Sequence, residues 1–301
     1  MKTNKLISIL VFIAVTFCLS AQNSTYPTGS LLWKISGKDL TKPSYIMGTF
    51  HVMQGEYLDS IAGARKALNE SEQVVGEVVM ADMAATAMQL MSKMAMPSGT
   101  NYHQLYSDDD YQFIDGKLIS SLGSGFNQMG MLKPKAIESA VIILFCAKKI
   151  PNFNPQNLLD GYVQKEAVEK QKPVLGLELA DEQADMLFNS IPLQRQADLL
   201  LCFFKHDEQY VQREVDRLFE LYRNGNLSAL DEIMNKDDFC PSTDEEIALI
   251  LYNRNNHWME KLPAIMKEKS SFIAVGAGHL AGEKGLLHQL QKTGYKVEPI
   301  K

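Results

Sequence analysis

Short apolar runs closed by glycine or a polar turn alternate along this chain with longer stretches of helical period. Leu31 to Ile35, Tyr45 to Gly48, Val74 to Met80, Pro173 to Glu178, Ser271 to Gly276 and Tyr295 to Ile300 carry the aromatic and β-branched enrichment of strands. Helical period appears over Leu58 to Asn69, Asp108 to Ser121, Lys135 to Lys149, Leu158 to Lys170, Ala180 to Asn235, from about Asp244 onward, and over Glu283 to Lys292. The first strands read as a hairpin followed by a crossover, and the last as a strand, helix, strand ending. This order predicts an α/β fold (mixed α+β): a central mixed sheet flanked by helices, with the mostly helical stretch 82–172 as a cap inserted into it. Met83, Met88, Met91, Met94 and Met96 crowd the start of that stretch. They fill an irregular core or offer an adaptable apolar surface.

Two of the strands end alike. Gly48-Thr49-Phe50-His51 closes one and Gly276-Ala277-Gly278-His279 another, in a chain with six histidines. Chemistry in open α/β sheets gathers outside the carboxyl ends of the strands, so a histidine three residues past each glycine can reach a common crevice. The plainer alternative is two unrelated strands that each precede a histidine. Glu77 and Glu178 lie in apolar, strand-like runs, where a carboxylate is costly to bury unless it is paired, hydrogen-bonded or bound to a metal. Either could instead face water from an edge strand. On the helix after Asp244, Ile247, Leu251, Trp258, Leu262 and Ile265 form one stripe, with Arg254 inside it. Such a guanidinium fixes helix packing through a buried ion pair or points at a carboxylate or oxyanion in the crevice. Arg65 lies near the apolar side of its shorter helix, and Pro263 is expected to end or kink the helix after Leu262.

The chain starts with a leader-like segment. Lys2 and Lys5 precede an apolar run from Leu6 to Leu19 and then Ser20-Ala21, a run shorter than the roughly 20 residues of a membrane span. Residues 1–21 are therefore expected to be a cleaved signal peptide, and 22–301 an exported domain, periplasmic or secreted, with no integral membrane segment after cleavage. Without Lys2 and Lys5 the 30 basic residues fall to 28 against 36 acidic ones, and the net charge moves from -6 to -8. No basic cluster interleaved with aromatics occurs, which argues against a nucleic-acid partner. Past the leader, Cys146, Cys202 and Cys240 are an odd number in apolar or helical context, and they do not read as a disulfide framework. No Cys-x-x-Cys, Gly-x-Ser-x-Gly, P-loop or His-Glu-x-x-His motif is present. His103, His206, His257 and His288 sit in polar contexts and are the poorer candidates.

Two imidazoles and two carboxylates facing one crevice suit a hard or borderline divalent ion such as Mn, Co, Fe or Zn, with positions left for water or substrate. The same groups could work without metal, one histidine as general base and a carboxylate orienting it. At this point the residues resemble a known family. Leu32-Trp33-Lys34-Ile35, Pro43 through His51, Gly76-Glu77, Gly176-Leu177-Glu178, Asn253-Arg254-Asn255 and Gly276-Ala277-Gly278-His279 look like the TraB/GumN family, which includes the Tiki proteases of animals. The likeness spans nearly the whole chain past the leader. It implies membership of the wider erythromycin esterase-like and ChaN-like group, with a mixed sheet flanked by helices. It also implies a metal-dependent protease chemistry supported by manganese or cobalt. Carried over by position, His51 and His279 are the paired motif histidines, Glu77 their acidic partner and Arg254 the buried arginine.

The sequence thus leads to an exported metal-dependent hydrolase acting on a peptide or protein. His51, Glu77 and His279 would hold the ion, Mn or Co in preference to Zn or Fe. Glu178 is the expected general base, and Arg254 would stabilise charge on the carbonyl oxygen. The alternatives are a metal-independent esterase-like hydrolase and a non-catalytic protein that binds haem or a peptide.

Overall fold

A computed structural model describes residues 29–85, 87–234 and 240–301. The expected signal peptide at 1–21 lies outside them. The six expected strands all form: β1 Leu32–Ser36, β2 Ser44–Thr49, β3 Gln73–Gly76, β4 Val174–Gly176, β5 Ser271–Gly276 and β6 Lys296–Ile300. Among the described residues there are also fourteen α-helices. In chain order they are α1 Ala64–Glu70, α2 Met80–Ala85, α3 Ala87–Met94, α4 Asp108–Leu122, α5 Phe126–Met129, α6 Pro134–Ala147, α7 Leu159–Glu169 and α8 Ala180–Asn189. After these come α9 Leu193–Lys205, α10 Glu208–Arg223, α11 Leu227–Met234, α12 Asp244–Ile247, α13 Asn253–Glu268 and α14 Leu286–Lys292. The fold class is the mixed α/β one that the alternating pattern predicts.

The sheet runs β4-β3-β5-β2-β1-β6. β4, β3, β5 and β2 are mutually parallel, whereas β1 is antiparallel to both β2 and β6. Every residue of β2 and β5 is buried, as expected of parallel strands covered on both faces. The register is what matters for function. Thr49 pairs with Gly276, Gly76 with Ala274, and Gly76 with Gly176, so four parallel strands release their carboxyl ends at one edge. His51, Glu77, Glu178 and His279 all follow within three residues of those ends. β3 and β4 stop at Gly76 and Gly176, short of the expected Met80 and Glu178. Both glutamates therefore lie past the strands, not on an edge strand facing water.

Two segments of helices connect the parallel strands. α2 to α7 lie between β3 and β4, and α7 packs directly on β3, β4 and β5. α8 to α13 lie between β4 and β5, with α3 against α8 and α6 against α9. The methionine-rich stretch divides between the two roles weighed for it. Met83 and Met94 are buried beside Leu90, Ala180, Ala184 and Phe188, while Met88 and Met91 are exposed.

The helix expected from Asp244 onward is one continuous rod with an irregular middle. Ala248 to Tyr252 wind as a π-helical turn between α12 and α13, a local widening that often accompanies functional sites. α13 runs through Pro263 to Glu268 instead of stopping at Leu262. Leu262 and Met266 are fully buried on either side of the proline, and that packing offsets the hydrogen bond it removes. Arg65 pairs at the surface with Asp59 at 2.7 Å and Glu166 at 3.0 Å, away from the crevice.

The cysteine reading needs correction. Cys202 on α9 and Cys240 are joined in a disulfide with Cα atoms 5.8 Å apart, and Cys146 is free and buried. The pairing depends on α9 and the segment before α12 meeting in space, which an odd count and a spacing of 38 residues do not encode. A loop of that length loses substantial entropy when the unfolded chain is cross-linked. Cys240→Ser is expected to lower the unfolding free energy by about 3–4 kcal/mol. A urea midpoint unchanged by the substitution would refute this contribution.

Candidate active site

The turn after each motif glycine is tight. A Cβ on Gly48 would lie 2.9 Å from the Leu280 side chain, and one on Gly276 would lie 2.9 Å from His51 Nε2 and 3.3 Å from Glu77 Oε1. Glycine at 276 thus leaves the space in which His51 and Glu77 converge. Glu77, 4% exposed, accepts from the Gly276 N–H through Oε1 at 2.8 Å. The same Oε1 lies 3.9 Å from His51 Nε2 and 3.8 Å from His279 Nε2.

Each imidazole is held from behind. His51 Nδ1 lies 3.1 Å from Asp160 Oδ2, and the other oxygen of Asp160 accepts from Thr49 Oγ1 at 2.7 Å. His279 Nδ1 lies 2.7 Å from Asn255 Oδ1. Asn255 turns its amide nitrogen toward the carbonyls of His279 and Lys284 at 3.2 and 2.9 Å, so its oxygen is the acceptor here. Both rings then carry a proton on Nδ1, and the Nε2 of each lies within 3.9 Å of Glu77 Oε1. Metal-ligating histidines are oriented by this kind of outer partner.

Arg254 binds the two glutamates together. Its Nη2 donates to Glu77 Oε2 and to Glu178 Oε1, each at 2.5 Å, and its Nε reaches Glu178 Oε1 and Oε2 at 3.2 and 3.1 Å. Nη1 donates to the Ile250 carbonyl in the π-helical turn and to His279 Nε2, both at 3.0 Å. Gln183 Nε2 bridges Glu77 and Glu178 at 3.0 and 2.9 Å, and Trp258 Nε1 adds a bond to Glu178 at 3.3 Å. The indole of Trp258 also packs 4.4 Å from the His279 ring and 4.7 Å from the Arg254 guanidinium carbon. Arg254 thus forms a buried ion pair, and it lines the crevice.

The electrostatics follow from this arrangement. Burial alone would raise the Glu77 carboxyl, but Arg254, the two imidazoles and the Gly276 N–H outweigh it and hold it well below the usual carboxylate range. Burial, reinforced by Arg254, pushes His279 down to about 3, so this ring is neutral at any ordinary pH. His51 is driven down by desolvation and up by Asp160 and Glu77, with a net rise. Burial works against the charge on Arg254, and the two glutamates more than restore it.

All five residues singled out from sequence, His51, Glu77, Glu178, Arg254 and His279, therefore meet at one edge of the sheet. His103, His206, His257 and His288 take no part in this cluster. Asp160, Gln183, Asn255 and Trp258 belong to it as well, and their roles were not foreseen. A crevice of about 90 Å³ opens over the cluster, lined on one side by His51, Glu77, Arg254 and His279 and elsewhere by apolar residues from α8, α10, α11 and the π-helical turn.

Residues 31–299 match the TraB/PrgY/gumN family. The chain belongs to that family. It is 25% identical over 321 residues to the metalloprotease TIKI2 of Danio rerio, covering 89% of this chain and 60% of that protein. The metalloprotease TIKI homolog of Nematostella vectensis is 22% identical over 90% of this chain and 67% of its own length. The metalloprotease TIKI1 of Homo sapiens is 24% identical over 89% and 61%. The chain thus spans roughly three fifths of the length of the first of these relatives. No solved structure matches it. Among the described residues no helix is long and apolar enough to cross a membrane.

Proposed function

We propose that this family member is a metal-dependent hydrolase of peptide bonds, in which His51, Glu77 and His279 hold a divalent ion. One observation carries the reading: two imidazoles, each with Nδ1 committed to an outer partner, place Nε2 within 3.9 Å of the same buried carboxylate oxygen. Two imidazole nitrogens and a carboxylate oxygen are donor types that suit Mn, Co, Fe or Zn; each Nε2 lies within 3.9 Å of Glu77 Oε1, while the three donor atoms do not all lie within 4.8 Å of one another in this structure. The likeness to proteins named metalloproteases favours a peptide or protein substrate. When bound, the ion would supply Lewis-acid polarisation of a carbonyl and make water more acidic.

The other residues orient and stabilise. Arg254 keeps a full positive charge beside the crevice, where it can stabilise negative charge developing on a carbonyl oxygen. Its bond to His279 Nε2 uses the lone pair that an ion would take, so metal binding and this contact compete. Glu178 was expected to act as general base, but Arg254, Gln183 and Trp258 donate to both of its oxygens. In this arrangement Glu178 helps to fix the guanidinium. Export remains part of the reading, because disulfides such as Cys202–Cys240 persist in oxidising compartments.

A second reading has its own support. His51 Nδ1 on Asp160 is the geometry of a histidine oriented for general-base work without metal. Exhaustive chelation separates the two. Hydrolysis of a peptide mixture is expected to fall to background on chelation and to return with Mn or Co. Activity that survives chelation would overturn the metal-dependent reading in favour of the His51–Asp160 pair.

A further inference from the structure

The crevice has two unlike walls. The charged cluster forms one, and Phe50, Leu187, Leu218, Leu230, Met234 and Ile250 line much of the rest. These six come from five places in the chain: the turn after β2, α8, α10, α11 and the π-helical turn. All but Leu230 are half-buried, so they present apolar surface to the crevice without being sealed into the core. Apolar side chains gathered from separate elements beside a charged site form a surface that gains from burying an apolar partner.

We infer that this wall is the subsite for a medium-sized aliphatic side chain of the substrate, at a position flanking the bond that is cut. The inference rests on the hydrolase reading and deepens it by naming the substrate class. Size decides among apolar occupants. The whole crevice, charged wall included, holds about 90 Å³, less than the roughly 150 Å³ of a Leu/Ile/Phe-lined cavity that holds benzene and far less than the roughly 300–1,000 Å³ of sites for drug-sized ligands. Because that space is shared with the charged wall, it favours a compact aliphatic side chain such as that of leucine, isoleucine, valine or methionine over an aromatic ring or a haem. Charge agrees with size, since the apolar wall offers no partner to a charged side chain.

Two readouts test the inference on the full chain. The first is digestion of a mixed peptide library with the metal-loaded protein, mapped by mass spectrometry on both sides of each cut. One flanking position is expected to favour Leu, Ile, Val or Met over Gly, Asp or Lys by about tenfold or more. Ile250→Ala should shift that preference toward Phe. The second readout needs no turnover. Trp258 packs on the cluster while Trp33 is buried in β1, so tryptophan fluorescence reports events at the site. N-acetyl-leucine amide should change it at concentrations about tenfold below those needed with N-acetyl-glycine amide, and Leu187→Asn should remove the difference.

Cleavage without apolar preference would overturn the inference and leave the hydrolase standing. Absence of cleavage with the leucine amide preferred would support the subsite and count against the hydrolase. Absence of both cleavage and ligand preference would overturn the inference.

Discussion

His51→Ala and His279→Ala are each expected to abolish retention of a divalent ion and to reduce peptide hydrolysis by more than about a hundredfold. That exceeds the roughly 10- to 100-fold cost of losing only an outer partner of a metal ligand. Asp160→Asn supplies the graded comparison. It leaves both Nε2 atoms in place and weakens only the support of His51, so its loss should fall within that 10- to 100-fold range. The two histidine variants should differ in stability. His51 is 20% exposed against 4% for His279, so His51→Ala should cost less stability than His279→Ala. His279 is buried against Trp258, and its loss leaves a cavity costing about 2 kcal/mol or more. The measurement is metal content of the purified proteins after equilibration with Mn, Co and Zn in turn, alongside urea unfolding. Stoichiometric metal retained by either alanine variant would rule out a site shared by the two ends of the chain.

Arg254→Met should be among the most destabilising single changes, at about 3–5 kcal/mol near neutral pH. The guanidinium is the shared partner of Glu77 and Glu178, and removing it leaves two buried carboxylates facing each other. The deficit should depend on pH in a definite direction. In the wild type Glu77 titrates below its unfolded value, so its contribution is present above the ordinary carboxylate range and is lost as the pH falls. Without Arg254, burial dominates and raises the carboxyl, so the variant is favoured at low pH and loses stability as the pH rises. The difference between the two proteins should therefore shrink on acidification from pH 7 toward pH 4. A deficit constant over that range, measured by urea unfolding at each pH, would mean that the carboxylates are not what Arg254 stabilises. Arg254→Lys keeps one charge but cannot reach both glutamates, His279 and the Ile250 carbonyl together, so it should restore only part of the loss.

Several of the residues not foreseen carry the same kind of mark that drew attention to Arg254. Asp160 and Gln164 lie on one buried stripe of α7 with Val163 and Ala167. Gln183 shares a stripe of α8 with Ala180, Ala184 and Leu187, and Asn255 shares one of α13 with Trp258, Leu262 and Met266. A polar side chain on an apolar face must find a partner, and in α7, α8 and α13 Asp160, Gln183 and Asn255 find it at the site. Reading each helix for such interruptions, and not only the one after Asp244, would have brought out all three.

The amino-acid sequence by itself determined the six strands, most helices, the glycines that let the turns approach, and the five charged or imidazole groups of the site. These are local properties: period 2 or 3.6 in burial, a glycine where a Cβ does not fit, a charge in an apolar run. The tertiary structure alone decided that β2, β3, β4 and β5 align in register, that Asp160 stands behind His51 from 109 residues away, and that Cys202 meets Cys240. It also decided that Glu178 is bound to Arg254. Each of these depends on the distance and direction between groups on different elements. Those are set by how whole faces pack and strands pair, and no local pattern along the chain carries them.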